Sequence, residues 1–221
     1  DFEEAKTNFY YTLRHIREIQ GNAEFRQNIN RFVYTCQQAI GASLDALASG
    51  ESNKARKING DLFERYIRLI LKRIGLDVHD GVVSVPVMID NEELFKMSYQ
   101  HDLIVEKEGA VRAIGSVKTS SKDRLDKIFV DKFLYNRLTN TTTPHFAIFL
   151  NDVQRKGKEP HFGVNTTFLT GHFKGYTIKL NPLDGVYYCD LRPNMLTDQI
   201  LSEQIHSLDV LLTEDIWKFL E

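Results

Sequence analysis

Tyr99-Gln100-His101-Asp102-Leu103-Ile104-Val105, a polar break at Glu106-Lys107-Glu108-Gly109, then Ile114-Gly115-Ser116-Val117-Lys118-Thr119-Ser120-Ser121-Lys122-Asp123-Arg124: the reading of this stretch decides the fold. Residues 96–105 and 111–118 are extended and apolar on either side of a short glycine-containing turn, which predicts an antiparallel hairpin. On the second strand Ser116 and Lys118 stand two residues apart and share a face, with Val117 on the other. Asp102 on the partner strand can converge on them. An Asp facing a Lys with a hydroxyl nearby suits phosphodiester hydrolysis. The carboxylate holds a divalent metal against the scissile phosphate, and the Lys orients or polarises the attacking water.

Upstream, Phe9, Leu13, Ile16 and Ile19 fall at helical spacing, and Phe32, Cys36, Ile40, Leu44 and Leu47 repeat it after a break at Gly21-Asn22. The Gly/Ser/Asn-rich run at 49–54 marks a boundary between this helical arm (residues 1–52) and the main domain (residues 53–221). A third helix is expected after Asn59-Gly60, with Leu62, Phe63, Tyr66, Ile67, Ile70, Leu71 and Ile74 on a wide apolar face ending at Gly75. Residues 82–87 read as a further strand. Downstream, Leu125, Ile128, Phe129 and Phe133 bring back helical periodicity, and His145-Phe146-Ala147-Ile148-Phe149-Leu150 reads as a buried strand. A basic loop is expected over 151–160, extended segments over 176–180 and 186–191, and helices near the C-terminus. Helix, strand, hairpin, helix, strand, strand is the order of an α/β architecture, a central mixed sheet flanked by helices.

With 221 residues, 42% apolar and 26% charged, the chain has the composition of a folded globular protein and can bury one sizeable core. A net charge of −2 argues against indiscriminate coating of nucleic acid, which needs an excess of Lys and Arg, while leaving room for a locally basic cleft. No apolar run approaches the roughly 20 residues of a membrane helix, and the acidic start Asp1-Phe2-Glu3-Glu4 is unlike a secretory signal, so an intracellular, cytoplasmic protein is expected. Cys36 and Cys189 fit neither a CxxC site nor a disulfide framework and are expected to be reduced thiols. The seven histidines form no HxxxH or His/Cys cluster of zinc-binding spacing, and neither a phosphate-cradling glycine loop nor a GxSxG elbow is present.

The Asp102 strand, the Ser-Val-Lys at 116–118 and the helix after them resemble the PD-(D/E)XK nuclease superfamily over roughly residues 60–150. More narrowly they resemble its type II restriction endonucleases whose second motif is Ser-Val-Lys, the NgoMIV and EcoRII groups. In that branch the resemblance implies that Ser116 replaces an acidic residue and that the missing carboxylate comes from the next helix, where Asp131 stands thirteen positions after Lys118. Asp102 and Asp131 would then bind magnesium, with Ser116 and Lys118 completing the catalytic set. Glu64 matches the glutamate such enzymes carry on the preceding helix, for a metal contact through water or an outer-sphere role. Lys122, Asp123 and Arg124 resemble the cluster with which these enzymes read C:G pairs. Arg and Lys donate to guanine O6 and N7, Asp accepts from the cytosine amino group, and each good pairing is worth about 1 to 3 kcal/mol of discrimination. The resemblance therefore implies Mg-dependent cleavage of double-stranded DNA, leaving 5'-phosphates, at a palindromic G:C-containing site of the CCGG or CC(N)GG kind. A palindromic target implies a two-fold symmetric homodimer. Three departures stand out: His101 replaces the usual proline, Asp131 is shorter than the more frequent glutamate, and Ser120-Ser121 replace a pair beginning with Thr.

Each residue also has an ordinary structural role open to it. Glu64 can pair with Arg68 one turn on, Asp131 with Lys127 or Arg137, and Asp123 can cap the following helix. His101 reads as structural, and the basic run at 154–158 as a solvated turn. Two further functions remain open: a repair or junction-resolving nuclease of the same fold, and a sequence-specific DNA-binding module that has lost cleavage. The N-terminal helices can serve dimerisation, DNA contact or docking.

Overall fold

The computed structural model describes residues 1–47, 50–121, 124–156 and 163–221. Two helices, α1 (Phe2–Arg14) and α2 (Ala23–Leu44), lead into α3 (Ser52–Arg73). Asn22 ends the break between the first two by accepting the Phe25 amide at 3.1 Å, an N-cap that explains why helix resumes there. Then come β1 (Asp77–Ile89), β2 (Glu92–Lys107) and β3 (Ala110–Ser120), followed by α4 (Leu125–Thr139) and β4 (His145–Asn151). A small hairpin, β5 (Val153–Lys156) and β6 (Gly163–Thr166), precedes α5 (Thr170–Lys179), β7 (Gly185–Tyr188), α6 (Pro193–Thr197), α7 (Gln199–Gln204) and β8 (Ile205–Ser207). The chain finishes in α8 (Leu208–Val210), a π-helical turn (Leu211–Asp215) and α9 (Ile216–Lys218).

β2 runs antiparallel to both β1 and β3, whereas β4, β7 and β8 add in parallel to β3, giving a six-stranded mixed sheet in the order β1-β2-β3-β4-β7-β8. The β2–β3 turn has Glu108 (φ 56°) and Gly109 (φ 75°) both in the left-handed region, the two-residue geometry that suits the twist of a tight hairpin. All of β4 is buried, and its alternation sorts the two faces. Phe146, Ile148 and Leu150 pack with residues of α1, α2, α3 and the C-terminal helical segment, while Ala147 and Phe149 pack with α4, α5, α6 and α7. Helices thus cover both faces, the α/β architecture expected from the order of elements. The division drawn at 52/53 falls inside the first turn of α3, and the larger core runs across it, from Phe9 and Val33 to Phe63 and Leu211.

Three local expectations are corrected. α3 does not start after Asn59-Gly60 but runs through them from Ser52, because the Gln37 amide donates to both the Asn59 carbonyl (3.0 Å) and its side-chain oxygen (2.7 Å) and holds that turn against α2. Residues 176–180 are not extended: 176–179 close α5, which Phe173 and Tyr176 anchor on Phe129 at ring-centroid distances of 5.7 and 5.4 Å. The loop expected over 151–160 contains strand β5, paired to β6, and its remainder at 157–160 lies outside the described residues. Both cysteines are free, Cys36 half-buried and Cys189 buried.

Candidate active site

The last register pair of β2 and β3 toward the site is Leu103 with Gly115; beyond it the strands separate. Val117 therefore has no β2 ladder partner, and the Asp102 carboxylate takes its amide at 2.8 Å. The same oxygen, Oδ2, accepts the Lys118 ammonium at 2.6 Å. From the other side Glu64 of α3 accepts that ammonium through Oε1 at 2.7 Å. Three side chains from three elements, α3, β2 and β3, thus converge on one point where the sheet opens. They remain in reach of solvent, with side-chain exposures of 27% for Glu64, 14% for Asp102 and 26% for Lys118.

The electrostatics follow from that packing. Burial works against the Lys118 ammonium, but Asp102 and Glu64 more than compensate, and its pKa lies above the ordinary lysine value. Lys118 is therefore a positive donor at neutral pH, not a base. Burial pushes the Glu64 carboxyl up, against the pull of the Lys118 hydrogen bond and with the charge of Asp102 adding to the rise.

The other expected residues that the structure describes make no hydrogen bond or ion pair with these three side chains. Ser116 is half-buried on β3 opposite Ala147 of β4. Asp131 lies on α4 with its carboxylate paired to Lys127 one turn earlier, and its charge acts on the buried His101 and on Tyr99. Arg124 is exposed at the head of α4. Lys122 and Asp123 lie outside the described residues. Among the described residues no group of three or more His, Cys, Asp or Glu is placed to hold a metal ion. His101 is enclosed by rings: Tyr99 stacks on it at 5.9 Å, and Tyr135 and His145 meet it edge-on at 5.9 and 6.3 Å.

Glu64 does not pair with Arg68, as the helical spacing allowed. The Arg68 guanidinium instead contacts Asp80 of β1 at 2.9 Å and reaches the Asp102 carbonyl at 3.5 Å. Sequence reasoning missed Arg68 as part of the site, although its position one turn from Glu64 on the same helix face was the available signal.

No protein-family model matches the sequence, and no curated protein matches it. Solved structures do resemble the fold. The type IIP restriction endonuclease Kpn2I superposes with a TM-score of 0.72 at 17% identity, over 99% of this chain and 73% of that one. The restriction endonuclease PspGI, in a complex with substrate DNA, superposes with a TM-score of 0.52 at 15% identity, over 89% and 73%. At these identities the likeness is one of fold: the mixed sheet with its flanking helices is restriction endonuclease-like. No helix among the described residues is long and apolar enough to cross a membrane.

Proposed function

We propose that this chain is a DNA endonuclease of the restriction type, hydrolysing both strands of a short double-stranded site. The observation that carries the proposal is the meeting of Asp102, Lys118 and Glu64 at the opening between β2 and β3. A carboxylate fixed by a backbone amide, next to a lysine kept cationic, is suited to a substrate whose reacting group is an anionic phosphodiester. Lys118 can donate to a phosphate oxygen or to the attacking water, and Asp102 and Glu64 hold its ammonium in place while it does so.

Magnesium is the cofactor that suits these donors. Magnesium takes one or two carboxylates and keeps several waters, so it does not need three protein ligands in one cluster. Asp102 already faces a cation, the Lys118 ammonium, and this pairing supports the reading. Asp102 would hold the ion together with Asp131, whose carboxylate is now engaged by Lys127, and Ser116 would support its water shell. When bound, magnesium would polarise the scissile phosphate and make its water more acidic.

For specificity we assign base reading to Lys122, Asp123 and Arg124, directly after the Lys118 strand, with a target of consecutive G:C pairs of the CCGG or CC(N)GG kind. A palindromic target favours a homodimer. Incubating the protein with a sequence-diverse plasmid, with and without magnesium, tests this. Discrete fragments that need magnesium and disappear in Lys118→Ala are expected, and their sequenced ends give the target. The pairing of Asp131 with Lys127 favours one second reading, a site-specific DNA-binding module without cleavage. Uncut plasmid with specific, salt-sensitive binding is the result that supports it over the nuclease.

A further inference from the structure

Asp102 stands at an irregularity in β2. His79 pairs with Ile104 and Gly81 with His101, so two steps on β1 oppose three on β2 and Asp80 faces the Asp102-Leu103 pair. An extra residue of this kind bends a strand and re-aims its side chains. The change of face is visible in the packing. Before the bulge Tyr99 packs toward Tyr135 of α4; after it Leu103 and Val105 pack in the core beneath α3. The inward set changes sheet face between His101 and Leu103, so the direction of the Asp102 side chain depends on how the bulge is held.

From outside the strands, Arg68 makes polar contacts to both sides of the bulge. Its Nη1 is 2.9 Å from Asp80 Oδ1 on one strand and 3.5 Å from the Asp102 carbonyl on the other. We infer that Arg68 is a positioning residue that fixes the bulge between Asp80 and Asp102 and thereby aims the Asp102 carboxylate at Lys118 and the Val117 amide. α3 then organises the site twice, one turn apart: Glu64 holds Lys118 directly, and Arg68 holds the backbone from which Asp102 projects. In its catalytic consequence the inference rests on the nuclease reading; in its structural consequence it does not.

The Val117 amide, which donates to Asp102 Oδ2, is a reporter that needs no activity. In Arg68→Ala its amide resonance should move and its hydrogen exchange accelerate by about tenfold or more, with exchange of the β4 amides unchanged. Cleavage should lose about 10- to 100-fold in kcat, as for other residues that orient a catalytic carboxylate, with KM for DNA within about twofold. Arg68→Lys, which keeps the charge near Asp80, should recover part of both effects. Asp80→Asn, at the exposed end of the contact, should move the Val117 resonance in the same direction by less, and it carries the test if Arg68→Ala does not fold. An unchanged Val117 amide in a folded Arg68→Ala protein overturns the inference whatever the enzyme does. Weaker DNA binding with a salt slope lower by about one, at unchanged kcat, also overturns it and makes Arg68 a phosphate contact. A wild-type protein that cuts no DNA removes the nuclease reading, and the Val117 measurement still decides the role of Arg68.

Discussion

Lys118 lies between two carboxylates, and replacing either one has a different consequence. Asp102→Asn keeps the shape but removes the charge that faces Lys118 and the Val117 amide; cleavage rate should fall on the order of 10² to 10⁴-fold. Glu64→Gln removes only the outer partner of the ammonium, and a loss of about 10- to 100-fold is expected in the same single-turnover assay. A Glu64→Gln enzyme as slow as Asp102→Asn would mean that Glu64 acts directly on the reacting atoms. His145 gives a stability prediction. Its Nδ1 must donate to the Thr143 carbonyl at 2.9 Å, and burial lowers its pKa to about 4, with neighbouring His101 and Lys132 contributing. The folded protein holds this imidazole neutral, so its contribution is present above pH 6.5 and is lost as pH falls toward 4. The loss can reach about 3 kcal/mol, read as the difference in acid sensitivity between wild type and His145→Asn in denaturant titrations. At this scale Asp102 and Lys118 were legible as neighbours because a short turn joins their strands, whereas the bulge that aims Asp102 left no mark in the alternation. The partner of Glu64 was not, because helical spacing gives Arg68 and a tertiary lysine equal standing, and only the separation of the strands decides between them.

The strands also carry a packing constraint. A Cβ at Gly115 would lie 2.5 Å from Phe146 Cζ and 3.0 Å from Leu103 Cδ1, and Phe146 is fully buried between β3 and the C-terminal helical segment. Gly115→Ala should cost about 1 to 3 kcal/mol in chemical denaturation by overpacking, and a wild-type midpoint would show that the Phe146 ring can move aside. The β2–β3 hairpin, α4 and β4 were legible from period and turn residues. β1 was read too short, over 82–87, because Asp80 and Gly81 look like a loop before a strand when they lie within one, opposite the bulge in β2. In α5 the order Tyr176-Thr177-Ile178-Lys179-Leu180 imitates a half-buried strand, yet Ile178 is 58% exposed and it is Phe173 and Tyr176, one turn apart, that pack inward. Alternation in so short a segment records composition, and the tertiary contact to Phe129 selects helix.

At the scale of the whole molecule, the N-terminal helices and the sheet are one body of packing. Phe9, Leu13, Ile29 and Val33 bury themselves with Ile67, Leu71 and the C-terminal Leu211, Leu212 and Ile216. The buried Asp209 takes Arg26 at 2.6 Å and Asn30 at 2.6 Å from α2, and Arg26 also reaches Glu214 at 2.7 Å. Asp209→Ala leaves Arg26 Nε and the Asn30 amide, both half-buried, without this acceptor, although Arg26 keeps Glu214 and the Gln20 carbonyl, and it should destabilise by about 1 to 3 kcal/mol. Trp217, the single tryptophan, has the Arg17 guanidinium 5.0 Å above its ring, so its fluorescence reports on this junction while far-UV dichroism reports on the whole. The two signals should unfold at the same denaturant concentration; separate midpoints would show that the helices detach from the sheet on their own.

Those ties at Arg26 and Asn30 join residues 183 and 179 positions apart, and they set an order in time. The β2–β3 hairpin and its turn form from neighbours in the chain, but α2 meets its charged partner only once synthesis has reached Asp209 of the 221 residues. Closing so long a loop is slow compared with closing a hairpin. On refolding, strand signal should appear first and the Trp217 signal last, so the fold is completed when Asp209 docks on α2, and a chain released before Asp209 is synthesised leaves α2 without its lock.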